Sequence, residues 1–73
     1  MRTPTPQAPI PTAVQLLDFE AAHPGKHTWA KETTIRDTLG VTAARYYQLL
    51  QRAAASPAGI AHDPITARRV RGN

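Results

Sequence analysis

The chain has 73 residues, no cysteine and a formal net charge of +4. That length holds one small domain, and a domain of this size buries only about 60% of the surface its unfolded chain exposes, so a large core is excluded. Without cysteine there are no disulfides and no cysteine zinc site to staple the fold, and no apolar run approaches the roughly 20 residues of a membrane span.

Residues 1–11 carry Pro4, Pro6, Pro9 and Pro11 with small polar residues between them. Proline fixes φ and removes a donor, so a disordered, extended Pro/Thr-rich tail is expected here. Arg2 is followed by these prolines and not by the apolar core of a signal peptide. The expected setting is therefore soluble and cytoplasmic, with no membrane partner.

The remaining stretch, 12–71, reads as one helical domain. Thr12 and Gln15 have the spacing of a capping box, which predicts a helix to about Ala22, before Pro24 and Gly25. Its apolar stripe is expected at Val14, Leu17 and Ala21, widened by Leu16 and Phe19, with Asp18 and Glu20 facing out. Thr28 caps a second helix running to Leu39, with Lys31 and Ile35 on one side and Trp29 covering the core from the helix start.

Gly40 stands where a helix ends in the left-handed conformation, Val41 is expected to drop into the core, and Thr42 caps a third helix to about Ala55. Tyr46, Leu49, Leu50 and Ala53 recur at i, i+3, i+4 and i+7 and form its buried stripe. Helix, glycine turn and capped helix in this order are the sequence shape of a helix-turn-helix. Ser56-Pro57 ends the third helix, Ile60 packs back as an anchor, and Asp63-Pro64 starts a last short helix that buries Ile65. The fold class expected is all-α, a small three- to four-helix helix-turn-helix domain.

Charge is divided along the chain. Before Gly40 acids and bases nearly balance; after it Arg45, Arg52, Arg68, Arg69 and Arg71 face only Asp63. Arginine is the side chain best suited to bidentate contacts with phosphate and guanine, which makes double-stranded DNA the expected partner. In that reading Arg45 and Gln48 reach base edges from the third helix. Thr42, Ala44 and Tyr47 lie along the backbone, and Gln51 and Arg52 meet phosphate or flanking bases. Arg68, Arg69 and Arg71 form a second phosphate clamp. One domain of this size binds weakly alone, so a homodimer or cooperative binding at repeated sites is expected.

The segments Ala30-Lys31-Glu32, Ile35-Arg36, Leu39-Gly40-Val41-Thr42-Ala43, Arg45-Tyr46-Tyr47-Gln48-Leu49-Leu50, Ser56-Pro57 and Ala61-His62-Asp63-Pro64 together resemble a family of short, largely uncharacterised actinobacterial and actinophage proteins. The resemblance covers roughly Leu16 to Val70, and the Arg-Tyr-Tyr-Gln block is its most distinctive part. It implies a compact, helix-turn-helix-like DNA-binding domain and no known reaction. The chain departs from the family at Ala53 and Ala54, where larger aliphatics are usual.

Catalysis, metal and cofactor are not expected. Ser56, the one serine, precedes a proline and has no His/Asp constellation in sequence, and Pro24-Gly25 interrupts any helix that would align His23 with His27. The two functions that remain are a small DNA-binding protein, a transcriptional regulator or phage accessory factor, and a phage-borne protein-interaction module whose third-helix face docks on a host protein.

Overall fold

The computed structural model describes residues 10–25 and 28–72. Five helices follow one another: α1 (Ala13–Ala22), α2 (Trp29–Leu39), α3 (Ala43–Ala55), α4 (Pro57–His62) and α5 (Pro64–Arg71). The fold is all-α, with no strand among the described residues. None of these helices is long and apolar enough to cross a membrane. Of the expected tail, residues 1–9 lie outside the described residues; Pro11 belongs to the domain and is buried.

Local chemistry sets the helix starts. Thr12 Oγ1 accepts from the Gln15 amide at 3.1 Å while Gln15 Oε1 accepts from the Thr12 amide at 2.8 Å, a complete capping box. Thr28 and Thr42 accept from the amides of Lys31 and Arg45, both at 3.1 Å. Gly40 closes α2 at φ 72, the left-handed conformation that a side chain disfavours. Asp63 Oδ1 accepts from the Thr66 amide at 3.0 Å, and that bond holds the Asp63 carboxyl below its usual range.

The expected three or four helices are five because Ser56-Pro57 has two roles. Ser56 Oγ donates to the Ala53 carbonyl at 2.8 Å, ending α3, and accepts from the Gly59 amide at 3.0 Å, starting α4. Pro57 then occupies the first turn, where its missing N–H costs nothing. Ile60 is not the anchor; it is 39% exposed, and Gly59 is the buried residue of α4. Gly59 lies directly on the Ala53 carbonyl, and a Cβ there would also come within 3.0 Å of Leu17 Cδ1.

α3 is the central helix, and α1, α2, α4 and α5 all pack on it. Its stripe is the expected one, with Tyr46, Leu49, Leu50 and Ala53 buried, joined by Ala43 and Ala54. Ala53 and Ala54 let α4 and α5 approach closely: Ala67 of α5 is fully buried, as is Ala54. Small residues at these positions are thus met by a small residue opposite, Gly59 against Ala53, where a larger side chain would hold α4 away from α3.

Elsewhere the phase differs from expectation. In α1 the buried residues are Leu16, Leu17, Phe19 and Glu20, while Val14 is 39% exposed and Ala21 is exposed. The stripe is rotated by roughly 100° from the expected one, which brings Glu20 inward. Trp29 does not cover the core; it is 79% exposed. It lies about 120° round α2 from Ile35, whose stripe with Lys31 faces the protein. Val41 is half-buried against the core and not within it. Ile65 is 76% exposed, because Thr66, Ala67 and Val70 take the inner side of α5.

Candidate functional site

A buried polar cluster sets α1, α2 and α3 against one another. Lys31 Nζ donates to Glu20 Oε1 at 2.9 Å and to the Gly25 carbonyl at 3.2 Å, and the Tyr46 hydroxyl donates to the same Glu20 oxygen at 2.6 Å. The side chains of Lys31 and Glu20 are 6% and 10% exposed. Burial first, and then the Glu20 carboxylate as acceptor and as charge, push the Tyr46 phenol far above its ordinary pKa. One carboxylate therefore ties α1 to α2 and α3. α1 and α2 make no close backbone approach of their own, so their relation rests on this cluster and on α3.

The sequence carries two signals for this cluster. Tyr46 lies in an apolar stripe with a hydroxyl that needs a partner. Lys31 shares a side with Ile35, and a lysine is almost never buried unless paired. Only the phase of α1 was needed to supply Glu20.

Anchored this way, α3 leaves one side open. Ala44, Arg45, Gln48, Gln51 and Arg52 are all exposed, and at about 100° per residue they occupy one continuous arc opposite Tyr46 and Leu50. Arg45 Nη1 lies 3.4 Å from Gln48 Oε1, a long contact that leaves both groups able to meet a ligand. Arg52 stands beside Pro11, Ala13 and Ser56 in a shallow depression at the α1 border. No carboxylate belongs to this arc.

Two residues assigned to the same surface have work inside the protein. Thr42 Oγ1 caps α3, so its hydroxyl is engaged at the helix start. Tyr47 is half-buried, its ring edge-on to Tyr46 at 4.9 Å and 5.7 Å beneath Lys31 Nζ. Tyr47 thus packs at the border of the arc, next to the first turn of α2.

The C-terminal arginines divide. Gln51 Nε2 lies 3.5 Å from the Val70 carbonyl, and Arg71 Nη1 donates to the Ala54 carbonyl at 2.8 Å. The end of α5 is therefore seated against the second half of α3, with Arg71 beside the arc and satisfying an α3 terminal carbonyl. Arg68 and Arg69 lie on the far side of α5 with Ile65, about 100° to 160° round from Val70. They are not brought to the α3 arc.

Together these features define a small all-α domain that presents one acid-free, arginine- and glutamine-bearing helix face. The chain belongs to the family described as "Protein of unknown function (DUF3263)", which matches residues 11–73. Comparison with curated proteins and with solved structures gives no match.

Proposed function

We propose that this chain is a small, non-enzymatic DNA-binding protein of the actinobacterial cytoplasm or of actinophages, a regulator or accessory factor, with α3 as the recognition helix of a helix-turn-helix. The observation that carries the reading is the open arc of α3. Arg45, Gln48, Gln51 and Arg52 are exposed together while the opposite side of the same helix is fully buried. A helix held by its apolar side and offering such donors has the shape and chemistry of the major groove.

Within this reading Arg45 and Gln48 read base edges, Arg52 and Arg71 neutralise phosphates at the helix end, and the α3 amides near Thr42 and Ala44 meet the backbone. Arg68 and Arg69 lie farther off and add to the general attraction for a polyanion.

The test is a DNA titration of the full chain by fluorescence anisotropy, across salt concentrations, on random duplex and on sequences selected for binding. Binding should weaken steeply as salt rises, and Arg52→Ala should lower the slope of log K against log salt by about 1. Arg45→Ala with Gln48→Ala should change the selected sequence. A chain that ignores duplex DNA at low salt overturns the proposal. The exposed Trp29, at 79%, favours a second reading as a host-protein docking module. In that case the α3 double variant would lose a protein partner and leave DNA mobility unchanged.

A further inference from the structure

The groove between α1 and the end of α2 has no part in the reading above, and the outward side of α5 has only the general attraction of Arg68 and Arg69 for a polyanion. On α5, Ile65 is 76% exposed, and Arg68 and Arg69 follow it at i+3 and i+4, so one apolar group and two cations share a patch. One exposed isoleucine is ordinary on a protein surface; what marks this patch is the apolar group and two cations on one side of one helix, a set that an apolar, acidic surface would complement.

The groove offers the opposite set. It has two lobes of about 450 Å³ and 380 Å³, both lined by Gln15, Thr38 and Leu39. Leu39 is half-buried and Phe19 floors the second lobe, so the bottom is apolar. Each lobe carries one carboxylate, Asp37 in the first and Asp18 in the second. Asp18 Oδ1 lies 2.7 Å from His62 Nε2, yet its side chain remains 61% exposed. Asp37 is exposed and has no ion pair or hydrogen bond among the described residues. It also stands in the last turn of α2, where the helix dipole disfavours an acid, so the helix itself gives no reason for it.

We propose that the α1–α2 groove receives the Ile65, Arg68 and Arg69 face of α5 from a second copy of this chain. Ile65 enters over Leu39, and the two guanidinium groups meet Asp18 and Asp37. Groove and α5 are different parts of the surface, and the pairing proposed is the heterologous one. Each copy offers its groove to one neighbour and its α5 to the next, and association runs head to tail without closing at a dimer. The α3 arc belongs to neither surface, which leaves it open on every copy in the row. The contact needs no nucleic acid, so it stands or falls apart from the DNA reading.

The test is sedimentation velocity of the full chain without DNA, over a concentration series at low and high salt. The average mass of the wild type should rise with concentration at low salt and return toward the monomer at high salt. Asp37→Arg alone and Arg69→Asp alone should each lose the rise, as should Ile65→Ser. An equimolar mixture of Asp37→Arg and Ile65→Ser should regain mass and stop at twice the monomer. There the intact α5 of the first variant meets the intact groove of the second, while the two remaining faces set a new cation against Arg68 and Arg69 without the Ile65 contact. All three positions are exposed, so wild-type thermal melting is expected of each variant. A wild type that stays monomeric, a single variant that associates as the wild type does, or a mixture that stays monomeric or grows past the dimer overturns the proposal.

Discussion

Replacing Lys31 by methionine tests the buried cluster at its most exposed assumption, that the ion pair holds the fold together. Methionine keeps most of the packing volume and removes the ammonium. Glu20, whose side chain is 10% exposed, would then keep only the Tyr46 hydroxyl at 2.6 Å to stabilise its charge. Breaking a buried pair by removing one partner costs about 3–5 kcal/mol, because the other charge is left uncompensated. A domain of roughly 60 residues has a total stability of about 3–9 kcal/mol at the usual 0.05–0.15 kcal/mol per residue. Lys31→Met should therefore take most of it. Replacing the whole cluster should not: Glu20→Leu, Lys31→Met and Tyr46→Phe together leave no orphaned polar group and should return to within about 1 kcal/mol of the wild type or exceed it. Urea unfolding followed by far-UV circular dichroism measures both. A loss below about 1 kcal/mol for Lys31→Met, the worth of an exposed surface pair, would refute the reasoning and make the cluster a solvated one.

Three further outcomes follow from the same packing. Gly59→Ala should destabilise by about 3 kcal/mol or more in thermal melts, since the new methyl meets the Ala53 carbonyl, backbone that cannot swing aside; a neutral variant would mean that α4 is free to lift off α3. Gly40→Ala should cost about 1 kcal/mol through its φ of 72 alone, with no change in the core; a cost several times larger would place the glycine in a role beyond backbone conformation. The raised pKa of Tyr46 makes the fold sensitive to alkali. An unfolded tyrosine ionises near pH 10 while the buried one stays protonated, so the contribution is complete below about pH 10 and is lost as pH climbs above it. Tyr46→Phe should flatten that part of the stability curve, and an unchanged slope would sink the assignment.

Most of what the sequence determines by itself in this chain is local. Thr12, Thr28, Thr42 and Asp63 satisfy amides three residues ahead, and Gly40 adopts a conformation that a glycine reaches at no cost, so the starts and stops of most helices depend on neighbours in sequence. The buried stripe of α3 was legible for a related reason. Its apolar residues outnumber every alternative arc, and its open arc, with Arg45, Gln48 and Arg52, followed from the same periodicity.

Ser56-Pro57 shows the limit of such reading, because the same pair that ends one helix begins the next, and only the approach of Gly59 to Ala53 selects both at once. In α1 two apolar arcs compete, one through Val14 and one through Leu16, and what decides between them is distant: Lys31 of α2 and Tyr46 of α3 need the carboxylate of Glu20. Trp29 and Ile65 are left outside by that kind of choice, since polar partners and small residues on neighbouring helices set which side of α2 and of α5 turns inward. Helix ends in this chain are thus properties of short peptide segments, whereas helix phase, the buried ion pair and the faces left open are properties of five helices competing for one small core.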